Sequence, residues 1–174
     1  MMELRPMQAA DLPWVMELDR KTPGSPHWSA QTYESLLRPD ERPAALRYFA
    51  CVAAQEGTEA GVVIARLLVD GVENACELEW IAVEDAFRRR GVARRLLQAL
   101  EEWASGLGGR RILLEVRAGN EVAQALYRRA GFCQTGLRRR YYLDPEEDAV
   151  LMAKELRAVE NRPQKAIEEE LTGC

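Results

Sequence analysis

Three groups of residues carry the chemistry this chain could perform. In "FRRRGVARR", residues 87–95, five arginines surround Gly91 where an apolar-periodic helix begins. A helix N-terminus carries about half a positive charge, so cations there are unfavourable by ~0.3–1 kcal/mol each. The backbone N–H groups of Arg89, Arg90, Gly91, Val92, Ala93 and Arg94 would stand unpaired at that helix start, a ready anion site. Gly91 permits a positive φ or a close backbone approach. An anionic ligand would offset the charge clash. The alternative is a solvated basic helix start, with Arg88 and Arg89 paired to Glu84 and Asp85.

The second group is a lone carboxylate in "RILLEVR", residues 111–117. Glu115 shares a strand face with Leu113 and Arg117, while Ile112, Leu114 and Val116 take the other. A partly buried carboxylate tends towards a raised pKa, which suits a general base near neutral pH. A salt bridge to Arg117 or to a neighbouring strand is the plainer role. Glu77 and Glu79, two apart on one strand, could assist such a base or line a cleft. The third group lies on the next helix, where Asn120 suits the N-cap and Tyr127 follows two turns later on the same side. Spacing alone makes Tyr127 a core residue. Tyr141 and Tyr142 are adjacent on a strand, so they should face opposite sides, with at most one lining a cleft.

These groups need a scaffold. The pattern predicts the order β-α-α-β-β-β-α-β-α-β-β. A short strand precedes a helix with Asp11 as N-cap and Leu12, Val15 and Leu18 on one face. "SAQTYESLL" is a second short helix capped by Ser29, and "KTPGSPHW" between them is a loop. "RYFACVAAQ", "AGVVIARLLV" and "ACELEWIAV" form an antiparallel meander. A long amphipathic helix runs from Gly91 to Leu107, and a second from Asn120 to Ala130. "FCQTGLRRRYYL" and "DAVLMAKEL" complete an α/β fold: a mixed, mostly antiparallel sheet with helices on both faces. One domain spans residues 1–157, and 158–174 form a polar tail, a solvated helix or frayed end.

The bulk numbers narrow the class. A net charge of −4 argues against general nucleic-acid binding. Cys51, Cys76, Cys133 and Cys174 lack a C-x-x-C spacing and His27 is the single histidine, so no metal site is implied; buried thiols in a reducing cytosol are expected. The start has no long apolar segment, and no run approaches a membrane span. The expected setting is the cytoplasm. Oligomeric state is not legible.

"IAV" followed by "RRRGVARRLL" resembles the acetyl-CoA-binding segment of the GNAT N-acetyltransferases: Arg or Gln, two residues, Gly, one residue, then Gly or Ala, filled by Arg88, Gly91 and Ala93. "LLEVRAGNEVAQALYRRAGF" and "RRRYYLDPEEDAVLMAKEL" resemble downstream segments of the bacterial ribosomal-protein alanine N-acetyltransferases. The likeness runs from about Leu4 to Leu156. It implies the GNAT acyl-CoA N-acyltransferase fold, with acetyl-CoA as co-substrate. Ile81, Ala82 and Val83 would offer main-chain groups to the pantetheine arm, Arg89 to Arg94 would wrap the pyrophosphate, and Asn120 would contact the cofactor. Glu115 would be the proton acceptor and Tyr127 the acid. The acceptor would be a protein N-terminus, an alanine on a small-subunit ribosomal protein. Three departures stand out: His27 separates Pro26 from Trp28 where relatives read Pro-Trp-Ser, Gly119 replaces a serine before Asn120, and the tail beyond Leu156 is longer than the family needs. A GNAT enzyme for another amine (broader N-termini, lysine or a small molecule) and a non-catalytic acyl-CoA-binding module are the rivals.

Overall fold

Apolar runs bounded by turn residues become the centre of one seven-stranded sheet. The computed structural model describes residues 1–38 and 43–156. Its elements are β1 (Met2–Pro6), α1 (Leu12–Lys21), α2 (Ala30–Ser35), β2 (Leu46–Gln55), β3 (Thr58–Leu68), β4 (Ala75–Val83), α3 (Val92–Gly106), β5 (Arg111–Arg117), α4 (Glu121–Arg129), β6 (Cys133–Leu143) and β7 (Glu146–Glu155). This is the expected order. The tail expected to be solvated or frayed lies outside the described residues.

The strands run in the order β1-β2-β3-β4-β5-β7-β6. Every neighbouring pair is antiparallel except β4 and β5, which are parallel. The β2–β3 turn has φ of +54° at Glu56 and +80° at Gly57, the pair of left-handed residues that a tight hairpin requires.

Helices cover both faces. One layer joins α3 and α4 to Ala53, Val63, Ala65, Leu67, Ile112, Leu114 and Val116. The other joins α1 and α2 to Val52, Val62, Ile64, Trp80 and Ala82. β3 is buried from Ala60 to Ala65 because it is sandwiched. On α3 the buried stripe is Val92, Leu96, Leu97, Leu100 and Ala104, each large side chain stabilising the docked helix by roughly 1.5–3 kcal/mol before ordering costs. Leu107, expected on that stripe, is exposed because the helix ends at Gly106.

Two helix starts differ in how they are capped. Ser29 caps α2 as expected, accepting from the Thr32 N–H at 3.2 Å. Asp11 makes no such bond to α1. Its carboxylate turns back to the Gln8 N–H at 2.7 Å and takes a bidentate pair from Arg5. The stronger ionic partner wins over a cap worth ~1 kcal/mol.

One irregularity controls the sheet. Ala65 opposes Leu78 while Ile64 opposes Trp80, leaving Glu79 as an extra residue on β4. This β-bulge reverses the strand's phase. Cys76 and Leu78 enter the α3/α4 layer, whereas Trp80 and Ala82 enter the α1/α2 layer.

Candidate active site

Directly after the bulge the sheet opens. β4 and β5 pair only over Ala75–Glu77 and Arg111–Leu113, although β4 continues to Val83 and β5 to Arg117. Beyond those three pairs, the β4 edge facing β5 has alternate N–H and C=O groups without a strand partner. Ile81, Ala82 and Val83 form the end of that edge, where an extended ligand could add as a strand does.

The chain leaving Val83 forms a turn with the shape of an anion cradle. A single-turn 3-10 helix, Asp85–Phe87, leads into residues 88–91. Arg89 has φ of +62° and Gly91 of +82°, so left-handed residues alternate through the turn as in backbone anion nests. The Arg88 N–H bonds to the Asp85 carbonyl and the Arg95 N–H to the Gly91 carbonyl. Between them, no backbone N–H from Arg89 to Arg94 makes a well-formed hydrogen bond to another described residue. These are the six residues expected from the sequence. Arg88 is neutralised by Asp85 at 2.7 Å, and Arg90 stacks over the Phe87 ring at 5.6 Å. Arg89, Arg94 and Arg95 have no carboxylate partner among the described residues. The alternative pairing is therefore met only at Arg88. Glu84 turns away to α1, accepting from the Trp14 indole at 2.9 Å and from Lys21 at 2.7 Å.

Gly61 shapes the cradle from beneath and was not legible as part of it. A Cβ there would lie 2.9 Å from the Ala82 carbonyl and 3.0 Å from Val92 Cγ1. Its absence lets the first turn of α3 press against β3 and β4.

Across the opening, β5 divides its side chains as its alternation predicts. Ile112, Leu114 and Val116 are buried, and Leu113, Glu115 and Arg117 are partly exposed on the other face. Glu115 accepts from Arg138 at 2.6 Å. The partner thus comes from β6, two strands away, and not from Arg117. Arg117 instead bonds to Glu147 at 3.1 Å and covers the Tyr142 ring at 4.1 Å.

Tyr141 and Tyr142 do not face opposite sides. Arg138 opposes Ala149 and Tyr142 opposes Glu147, so Arg139, Arg140 and Tyr141 bulge against one residue. Arg140 has φ of +52°, and its N–H is held by Asp148 at 2.7 Å. The bulge brings the two tyrosine rings to 5.1 Å, edge to face. Hydrogen bonding to the Glu115 carboxylate raises the Tyr141 phenol, while burial and then Glu115 raise Tyr142. Both tyrosines therefore belong to the Glu115 neighbourhood.

On β4, Arg66 grips Glu77 and also reaches Glu79 at 3.2 Å. Burial raises the Glu79 carboxyl above the usual range, with Arg66 opposing that rise.

Tyr127 sits on α4 in the opposite layer, 7% exposed, with its ring 5.7 Å from Phe132. Among the described residues its hydroxyl makes no hydrogen bond, yet Arg111 Nε is the one buried side-chain polar atom without a partner. The Tyr127 oxygen is thus reached by solvent at the end of a buried ring. Burial, and secondarily Tyr142, raises this phenol, so it stays protonated across the neutral range. Asn120 caps α4 by accepting from the Ala123 N–H at 3.1 Å, which leaves its amide N–H groups for a ligand. Gln124, a buried residue that sequence reasoning missed, donates to the carbonyls of Arg117 at 3.2 Å and Ala118 at 2.8 Å. It pins α4 to the end of β5. Its place one helical turn before Tyr127 was the available signal.

The α1–α2 loop flanks the Glu115 face: a Cβ on Gly24 would lie 3.3 Å from Arg117 Nε. Asp19, buried and also missed from sequence, anchors this loop. It accepts from the N–H groups of His27 at 3.0 Å and Trp28 at 3.1 Å and from the Tyr33 hydroxyl at 2.7 Å. His27 takes φ of +50°, a left-handed residue that places His27 and Trp28 side by side on Asp19. Trp80 reaches the loop through Ser25 at 3.0 Å.

The cysteines follow burial only in part. Cys51 and Cys76 are buried, and burial pushes their thiols up to about 11 and about 12. Neither would be an ionised nucleophile near neutral pH. Cys133, expected to be buried, is exposed on edge strand β6. No helix among the described residues is long and apolar enough to cross a membrane.

Comparison with known proteins gives a consistent result. The Acetyltransferase (GNAT) family model matches residues 12–132. The chain is 32% identical over 149 residues to the [Ribosomal protein bS18]-alanine N-acetyltransferase of Escherichia coli K12, covering 84% of this chain and 93% of that protein. An uncharacterized Mycobacterium leprae protein is 52% identical over 79 residues, 45% of this chain but 21% of that longer one. Among solved structures, the ribosomal-protein-S18-alanine N-acetyltransferase of Escherichia coli superposes with a TM-score of 0.75 at 31% identity, over 92% of this chain and 98% of that one.

Proposed function

The chain belongs to the acetyltransferase (GNAT) family, and from that premise we propose that it transfers the acetyl group of acetyl-CoA to the N-terminal amine of a protein. The observation that carries this reading is the row of six unengaged N–H groups, Arg89 to Arg94, at the mouth of the β4–β5 opening. A pyrophosphate would suit that cradle because its N–H groups have no partner among the described residues and left-handed residues at Arg89 and Gly91 give the turn the form of a backbone nest. The free edge at Ile81, Ala82 and Val83 suits the amides of a pantetheine arm, and the Asn120 amide can donate to the same ligand. Bound acetyl-CoA supplies the activated thioester.

The chain's own residues supply the rest. Glu115 accepts a proton from the acceptor amine, directly or through water. A backbone N–H on the β4 edge stabilises the oxygen that becomes negative when the amine adds to the acetyl carbon. As the carbon–sulfur bond breaks, Tyr127 offers its hydrogen to the departing sulfur. Tyr127 passes that proton to sulfur and regains one from solvent, while the proton that Glu115 takes from the attacking nitrogen is released to solvent, so amine and thioester become amide and thiol with no net change in protons. Tyr141 and Tyr142 wall the acceptor side, and Glu77 and Glu79 keep that side acidic towards a cationic amine.

For the acceptor we infer an N-terminal alanine on a small-subunit ribosomal protein. Similarity across 84% of this chain to an enzyme named for ribosomal protein bS18 supports it. Acetyl-CoA turnover should be measured with peptides beginning Ala, Ser and Met, an N-terminally blocked lysine peptide and spermidine. The alanine peptide should give the highest kcat/KM. Faster turnover of the lysine peptide or spermidine would replace this acceptor by a side-chain or small-molecule amine.

A further inference from the structure

Arg117 and Arg138 flank Ala149 on the two sides of β7, yet they are held very differently. Arg117 is locked by Glu147, by the carbonyls of Asp144 and Pro145, and by stacking on Tyr142. Arg138 is 53% exposed, has the Glu115 carboxylate as its one ion-pair partner among the described residues, and leans over the Tyr141 ring at 5.3 Å. A half-exposed pair of this kind contributes little stability and exchanges readily.

We propose that the Arg138 guanidinium occupies the seat of the acceptor's ammonium group on Glu115, and that the acceptor must displace it to react. The reading rests on Glu115 as the proton acceptor. An α-amine with a pKa of about 7.7–8.0 arrives largely as a cation near neutral pH and needs a carboxylate to receive it. Arginine fits the same carboxylate but never gives up its proton, so the resting pair is orienting and unproductive. The groups around this seat are Tyr141 and Tyr142 from β6, Arg117 from β5 and Glu147 from β7. A polypeptide N-terminus can engage those walls while its ammonium displaces Arg138. A free small amine competes with charge alone. Arg138 is thus a specificity-determining residue that favours a polypeptide acceptor over a small cationic amine.

Steady-state kinetics of Arg138→Gln and Arg138→Lys, with an alanine-starting peptide and with alaninamide, test this. Arg138→Gln should lower KM for the peptide about threefold, the scale of an exposed ion pair, without a matching gain in kcat. It should raise kcat/KM for alaninamide more than for the peptide, narrowing the preference between them. Arg138→Lys should restore most of the wild-type KM. An unchanged or raised peptide KM in Arg138→Gln, or an unchanged preference over alaninamide, overturns the proposal. Glu115→Gln in the same assays separates the two readings. Wild-type activity in that variant removes the base assignment itself, whereas its loss alongside an unresponsive Arg138→Gln removes only the displaced arginine.

Discussion

The Trp14 indole on α1 donates to Glu84 Oε1 at 2.9 Å, bridging 70 residues of sequence. Lys21, two turns along the same helix, closes on that carboxylate at 2.7 Å. Glu84 is also the first residue of the path from the Val83 edge to the anion cradle. Helix α1, on the proposed acceptor side, is therefore fastened to the loop proposed to hold the cofactor. Replacing Glu84 by Ala should lower stability by ~1–3 kcal/mol, since two donors lose their acceptor. It should also raise KM for acetyl-CoA and for the acceptor together. Thermal unfolding and two-substrate kinetics check both parts; a change confined to one substrate contradicts the linkage.

Gly91 should tolerate substitution worse than any single arginine around it. A Cβ there meets nothing within 4 Å, so the obstacle is its φ of +82°. A β-branched residue in that region costs at least ~1–2 kcal/mol. Gly91→Val is expected to weaken CoA binding about tenfold or more, by titration calorimetry, and single Arg→Ala changes at 89, 90 or 94 less than that. Intact CoA binding in Gly91→Val would remove the cradle as the binding element.

Gly61 limits the same cradle by contact. Gly61→Ala places a methyl 2.9 Å from the Ala82 carbonyl, and relieving that crowding costs about 1–3 kcal/mol. Its Tm should fall, and CoA affinity should fall with it because the first turn of α3 moves. A stable variant with normal affinity would show that the close approach is not required.

For the chemistry, Glu115→Gln should lower kcat by about 10²-fold or more near neutral pH, the range of a lost general base. Tyr127→Phe keeps the ring against Phe132, so its Tm should hold while kcat falls. Circular dichroism melting alongside kinetics distinguishes this from a packing defect. A Tyr127→Phe enzyme with full kcat would return the residue to a purely structural role.

Asp11 makes stability pH-dependent. The bond from Arg5, followed by the Gln8 N–H, holds its carboxyl below the usual range. A lowered folded-state pKa gives stabilisation that is complete above the unfolded value of ~3.9 and lost as pH falls through the folded value. Asp11→Asn should therefore cost ~1–2 kcal/mol at pH 7. The gap to wild type should close in strong acid. Urea unfolding curves along a pH series measure it; an equal gap at every pH would contradict the ionic origin.

Much of this architecture was legible because periodicity reports what a residue's own neighbours do. The strand alternation at Leu113, Glu115 and Arg117 and the N–H row from Arg89 to Arg94 depend on local geometry alone. What escaped depends on pairing across the sheet. Cys76, Leu78, Trp80 and Ala82 keep perfect spacing of two, yet the bulge sends the first pair and the second pair into different layers. Tyr141 and Tyr142 looked separated for the same reason. Asp19, Gln124 and the Arg138 contact with Glu115 join residues whose proximity no local pattern encodes.

The extra residue at Glu79 also decides how this strand answers to changes in length. Substituting Glu79 alters one side chain, and deleting it would straighten the strand with Leu78 still opposite Ala65 and Trp80 still opposite Ile64. Trp80 and Ala82 would stay towards α1, and Ile81 and Val83 towards α3. The strand thus has a reading frame of its own: the bulge absorbs one residue without changing the layer that any residue of "WIAV" enters.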